Sequence, residues 1–124
     1  MNFIAITNNT AFVEKYKSEF DIIYHDVGLR GILVEVRNLV HDGYRILTHP
    51  LSGSVKPNET PLKTVFITKV KGTLDADSLS IIENAIITCD KFVSRKINYK
   101  NAMEDFQLVD MSLAESALPS LIAF

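Results

Sequence analysis

The sequence predicts a single α/β domain spanning residues 1–124. It would have three layers, with a mostly parallel sheet of about four to five strands and helices on both faces. That is a Rossmann-like or flavodoxin-like arrangement, here with a long polar loop after strand 3. Three observations lead to this class. Short β-branched and aromatic runs alternate with helical stretches, as in chains that build parallel sheets. Leu29, Ile32, Leu33, Val36, Leu39 and Val40 form the one-sided stripe of a surface helix. Between two apolar runs, Leu47–Pro61 has no period at all and holds three of the four prolines. Such a connection inside a compact domain is usually either functional or disordered.

Taken in order, Phe3–Thr7 is a short apolar run suited to a strand buried on both faces. Thr7-Asn8-Asn9-Thr10 ends it with residues that favour turns and helix N-caps. Phe12, Val13, Tyr16 and Phe20 then recur at helical spacing. Asp21–His25 reads as a second strand, and the striped helix follows Gly28. Gly43 stands where a left-handed C-cap glycine is expected. Tyr44–Leu47 is predicted as the third strand and Leu62–Val70 as the fourth. Lys71-Gly72-Thr73 turns the chain into a long helix from about Asp75, with Leu79, Ile82, Ile86, Cys89 and Val93 on one stripe. In the last quarter a short helix is expected at Tyr99–Glu104, a strand at Phe106–Val109 and a helix at Ser112–Leu118, before the apolar tail Leu121–Phe124. Right-handed crossovers favour a spatial order beginning 2-1-3. Strand 4 either runs antiparallel to strand 3 or crosses over irregularly, because the loop between them contains no helix.

The bulk chemistry excludes several classes. A net charge of −2, with only a short basic cluster at Lys91, Arg95, Lys96 and Lys100, does not suit a nucleic-acid binder. A lone Cys89 excludes an intrachain disulfide, and its place in an apolar stripe suits a buried hydrophobe better than a reactive thiol. The opening residues lack a basic region, and their apolar run is short for a signal peptide. No stretch reaches the roughly 18 apolar residues of a membrane span. A cytoplasmic location is expected, with no membrane partner, no cofactor and no metal. His25, His41 and His49 have no ligand spacing.

Ligands of open α/β sheets bind beyond the carboxyl ends of the strands, where strand order reverses. In a 2-1-3 order, the turn Thr7-Asn8-Asn9-Thr10 and the Thr48–Pro61 loop leave from that point. Ser52-Gly53-Ser54 offers hydroxyls and backbone N–H groups to an anion. Lys56 adds a point charge, and His49 adds a donor, acceptor or proton shuttle. Asn8 and Asn9 open a helix N-terminus. Thr48, Asn58, Glu59 and Thr60 complete the polar set. Each residue also has a plain structural role: Gly53 as a turn, Asn9 or Thr10 as an N-cap, His49 as a loop residue bonded to backbone. No P-loop, dinucleotide fingerprint or nucleophile elbow is present.

Ile6-Thr7-Asn8-Asn9 and the long run Leu47-Thr48-His49-Pro50-Leu51-Ser52-Gly53-Ser54-Val55-Lys56-Pro57-Asn58-Glu59-Thr60-Pro61 resemble the GrdX family. These are small proteins encoded with the glycine, sarcosine and betaine reductase systems of anaerobic amino-acid-fermenting bacteria. The Ile81-Ile82-Glu83-Asn84-Ala85 helix sits compatibly, so the resemblance covers most of the chain. Thr10 stands where proline is expected after the paired Asn. The resemblance implies an accessory role, with subunits of a reductase complex or a small anionic metabolite as partner, and brings no catalytic residues. Two functions follow as expectations. One is a binding or assembly protein that uses the loop face. The other is an enzyme acting on a small carboxylate or phosphorylated metabolite, with His49 as acid/base and Lys56 holding the anion. A homodimer is a further expectation, from the apolar tail.

Overall fold

A computed structural model describes residues 1–51, 60–92 and 102–122. The elements are β1 (Phe3–Thr7), α1 (Thr10–Tyr16), β2 (Asp21–Tyr24), α2 (Leu29–His41), β3 (Thr64–Thr68), α3 (Ala76–Phe92) and α4 (Met103–Ile122). The three strands form one sheet in the order β2-β1-β3. β2 runs parallel to β1, whereas β3 runs antiparallel, pairing Thr64 with Thr7 and Thr68 with Phe3.

The central strand reads as a continuous apolar run because both of its faces are covered. Phe3 and Ala5 turn to one side, where they meet Phe12 and Tyr16 of α1, Phe66 of β3 and Ala114, Leu118 and Leu121 of α4. Phe66 sets its ring edge-on to Phe3, with centroids 5.5 Å apart. Ile4 and Ile6 turn to the other side, against α2 and α3. There the α2 stripe buries Ile32, Leu33 and Val36 completely, together with Ile82 of α3. Each such side chain contributes about 1.5–3 kcal/mol.

Local signals set the helix ends. Gly43 takes a left-handed conformation, φ 106°. Its N–H reaches the Val40 carbonyl and that of Tyr44 the Leu39 carbonyl, both at 3.1 Å, which satisfies the last turn of α2. At the start of α3, the Asp75 carboxylate accepts from the Ser78 N–H at 2.9 Å and the Ser78 hydroxyl at 2.7 Å.

Three sequence expectations are corrected. The described residues hold a small mixed sheet of three strands, not four to five mostly parallel ones in a three-layer domain of Rossmann-like or flavodoxin-like type. The expected third strand, Tyr44–Leu47, contributes only an isolated bridge from Ile46 to Ile67. The expected fourth strand takes its place beside β1 and runs antiparallel to it, so the expected 2-1-3 order is replaced by 2-1-4 in the same numbering. The reason is a short ladder. The Thr68 N–H reaches the Arg45 carbonyl and the Leu47 N–H the Phe66 carbonyl, both at 2.9 Å. The Phe66 N–H then meets the Thr48 hydroxyl at 3.0 Å instead of a backbone carbonyl, and pairing stops there.

The third correction is at the C-terminal end. The Phe106–Val109 strand and the separate Ser112–Leu118 helix are one helix, α4, which continues past Pro119 to Ile122. Leu108 and Val109 lie on its exposed side while Asp110 is buried, a pattern that hides the helical period from the sequence. Val93, the first half of the Tyr99–Glu104 stretch (Tyr99–Asn101), and Ala123 and Phe124 of the tail lie outside the described residues.

Candidate functional site

The corner where β1 ends is built from polar residues that bond to one another. Asn9 caps α1: its backbone is extended, and its side-chain oxygen accepts from the Ala11 N–H at 3.1 Å. Its amide nitrogen donates to Asp110 Oδ2 at 3.0 Å and to the Gln107 carbonyl at 3.2 Å. Asp110 is only 3% exposed. Besides the Asn9 amide it accepts from the Thr64 N–H at 2.9 Å and the Thr64 hydroxyl at 2.7 Å.

This fixes the remaining protons. With the Thr64 hydrogen given to Asp110, the Thr7 hydroxyl donates to Thr64 Oγ1 at 2.7 Å. Thr7 Oγ1 in turn accepts from the Asn9 N–H at 3.0 Å. The result is a closed chain of buried, mutually satisfied groups, the arrangement in which buried polar residues rigidify a fold.

Asn8 clamps two loops. Its amide nitrogen donates to the Val27 and Pro61 carbonyls, each at 2.8 Å, and its oxygen accepts from the Lys63 N–H at 2.8 Å. The turn at residues 7–10 therefore meets the end of the long loop, and Asn8 and Asn9 direct both amide hydrogens into the protein. Thr60 forms a local turn, its hydroxyl accepting from the Leu62 N–H at 3.2 Å. Ser52, Gly53, Ser54, Lys56, Asn58 and Glu59 lie outside the described residues.

On the outer edge of β3 the remaining predicted residues open onto a cleft of about 310 Å³. Thr48, His49 and Lys63 stand at its polar side, with Thr64 and Phe66 also lining it and Leu113, Ala114 and Ala117 of α4 opposite. His49 Nδ1 accepts from the Leu51 N–H at 3.1 Å. The neutral ring therefore carries its hydrogen on Nε2. The same ring borders a second cleft of about 350 Å³, shared with Leu51, Ile81 and Thr88. Burial lowers the pKa of half-buried Lys63, and the negative charge of Asp110 partly opposes that shift.

Chemically, the corner resembles a holding device more than a reacting centre. A hydroxyl bonded to a carboxylate is the geometry of a polarised nucleophile. The Thr64 oxygen, however, is already engaged with both Thr7 and Asp110. Burial pushes the Cys89 thiol pKa up, away from thiolate chemistry. Among the described residues no group of His, Cys, Asp or Glu is placed to hold a metal ion. No helix among them is long and apolar enough to cross a membrane.

Sequence reasoning missed Asp110 and Lys63. The signal for Asp110 was a lone carboxylate within the apolar run Leu108-Val109-Asp110-Met111. Lys63 gave none, since a lysine at the start of a strand is ordinary.

Comparison with known proteins adds one finding. No curated protein and no solved structure matches the chain. The family described as GrdX-like protein matches residues 4–119, nearly the whole length. The chain belongs to the GrdX-like protein family, whose membership suggests an association with glycine reductase systems.

Proposed function

We propose that this protein is an accessory or binding protein of the glycine, sarcosine and betaine reductase systems. Its site would be a small-anion or partner site formed by the turn at residues 7–10 and the loop at residues 48–61. The observation that supports this reading is how the loop is held. Asn8 clamps its downstream end, through the Pro61 carbonyl and the Lys63 N–H. Leu47 and Thr48 tie its upstream end to β3. A loop anchored at both stems suits recognition more than chemistry. The corner's own hydroxyls and Asp110 are spent on each other. The test is a pull-down of purified reductase subunits with the wild-type protein and with a Lys56→Ala, Ser54→Ala double variant. Loss of capture in the variant is expected, and undiminished capture would remove the loop as the contact.

A second reading is an enzyme acting on a small carboxylate or phosphorylated metabolite, with His49 as acid/base and Lys56 holding the anion. What favours it is the position of His49 on the 310 Å³ cleft beside Lys63. A His49→Ala protein that still supports reductase activity in cells would sink it.

A further inference from the structure

The outer edge of β2 carries a sequence that is complementary to itself. In the order β2-β1-β3, β2 is a terminal strand, and among the described residues no other segment bonds to its outer side. The His25 N–H donates to the Thr7 carbonyl at 3.0 Å. Residues 21, 23 and 25 therefore turn their backbone groups towards β1, and Ile22 and Tyr24 turn theirs outward. Ile23 is 37% exposed and Tyr24 41%, in a sheet whose other two strands are almost wholly buried. Edge strands are commonly protected by lysine, proline or a bulge. β2 has none of these: it is Asp-Ile-Ile-Tyr, in unbroken register with β1.

A second copy laid antiparallel against this edge has few registers open to it. Opposed side chains must share a face, so the two-fold axis passes through a residue and not between two. About Ile22, the Asp21 carboxylate would lie against an isoleucine, and Tyr24 would fall opposite Phe20, outside the strand. About Ile23, each group meets a fitting neighbour. Ile22 and Tyr24 of opposite copies exchange both backbone hydrogen bonds, which uses all their outward N–H and C=O groups. Their side chains, both on the α1 face, form a β-branched–aromatic pair. Ile23 meets Ile23 on the α2 face. On that face Asp21 meets His25, an acid against an imidazole rather than against another acid. The Asp21 side chain is still 59% exposed beside Lys69, which leaves room for this second neighbour.

We propose that the protein forms a two-fold dimer by pairing β2 with β2 of a second copy about Ile23, so that the two sheets become one. The seam is short, at the low end of specific interfaces, so the dimer should dissociate at micromolar rather than nanomolar concentrations. It lies at the opposite edge of the sheet from β3, to which the upstream stem of the long loop is tied. The proposal therefore does not rest on the function proposed above.

The test is sedimentation velocity of the purified protein from about 5 µM to about 500 µM, the range in which a seam of this size should dissociate. The mass should rise from monomer towards dimer across the series. Ile23→Lys and Ile23→Glu each oppose two like charges at the two-fold axis, and each should weaken association by about tenfold or more. Mixing the two variants should restore the dimer, because opposite charges then face each other. Residue 23 opposes itself in no other antiparallel register, so restoration reports this one. Amide hydrogen exchange of the wild type over the same concentrations should slow at Ile22 and Tyr24 as the dimer forms. That series stands even if a variant fails to fold. Four results would each overturn the proposal: a wild type that stays monomeric, an Ile23→Lys dimer as tight as the wild type, a mixture of folded variants that does not associate, or Ile22 and Tyr24 amides already protected in the monomer.

Discussion

Replacing Asp110 with alanine should unfasten α4 from β3 and from the cap of α1 at once. The carboxylate accepts from the Thr64 N–H, the Thr64 hydroxyl and the Asn9 amide at 2.9, 2.7 and 3.0 Å. Each hydrogen bond to a charged group contributes about 1.5–3 kcal/mol, so a simple sum of three overshoots once water and relaxation re-satisfy some donors. Removing one partner from a buried charged cluster typically costs about 3–5 kcal/mol, and that range is expected here. For a domain of this size, at roughly 4 °C per kcal/mol, the melting temperature should fall by about 12–20 °C. Asp110→Asn keeps the shape and one acceptor but turns an NH₂ group towards a donor, so it should cost about half as much. Urea unfolding followed by circular dichroism measures both. Faster exchange of the Thr64 amide in Asp110→Asn would tie the loss to this bond. A cost under about 1 kcal/mol for Asp110→Ala would refute the view that this network holds the corner.

Two further outcomes follow from the helix ends. Gly43→Ala should destabilise by about 2–4 kcal/mol in the same urea assay, because φ is +106° and the new methyl would run into the Gly72 carbonyl. A cost below 0.5 kcal/mol, by the same order-of-magnitude reasoning, would show that the turn relaxes freely. Asp75 has its pKa lowered, first by the Ser78 hydroxyl and then by the Ser78 N–H. A lowered folded-state value means a contribution fully present above the ordinary carboxylate range and lost as pH falls through the lowered value. Below about pH 4 the wild type should therefore lose stability more steeply than Asp75→Asn, whose cap does not titrate. Urea midpoints measured against pH test this, and parallel slopes would contradict it.

What the sequence disclosed was local. The α2 stripe, the glycine that ends it and the Asn9 cap all depend on neighbours within a turn or two, and each stands where the residues predicted. Pairing partners were not legible. Whether Tyr44–Leu47 or Leu62–Val70 lies beside β1 depends on which edge closes against Thr7, and nothing within either run encodes that. Thr48 limits the first run by side chain, its hydroxyl standing in for a backbone carbonyl and ending its ladder on β3. Phe106–Val109 misled for a related reason. β-branched and aromatic content suggested a strand, while the helix carries Leu108 and Val109 on its outer side in order to turn Asp110 inwards. At the candidate site the polar residues could be read from the sequence, their bonds could not. Thr48 and His49 do border a cleft, but their neighbour there is Lys63, while Asn8 and Asn9 serve as clamps.

The Asp110 cluster also bears on the order in which the chain can fold. Asn9 and Asp110 are separated by 101 residues, and Thr64 and Asp110 by 46. During synthesis the first helix and β3 are made long before the residue that joins them. Until α4 emerges, the Thr64 N–H at the sheet edge and the Asn9 amide have only water as partner. Long-range closures of this kind are slow to form and leave strand edges open meanwhile. The corner thus closes only once α4 has been made, and any ligand that needs the cleft beside α4 must wait for that helix.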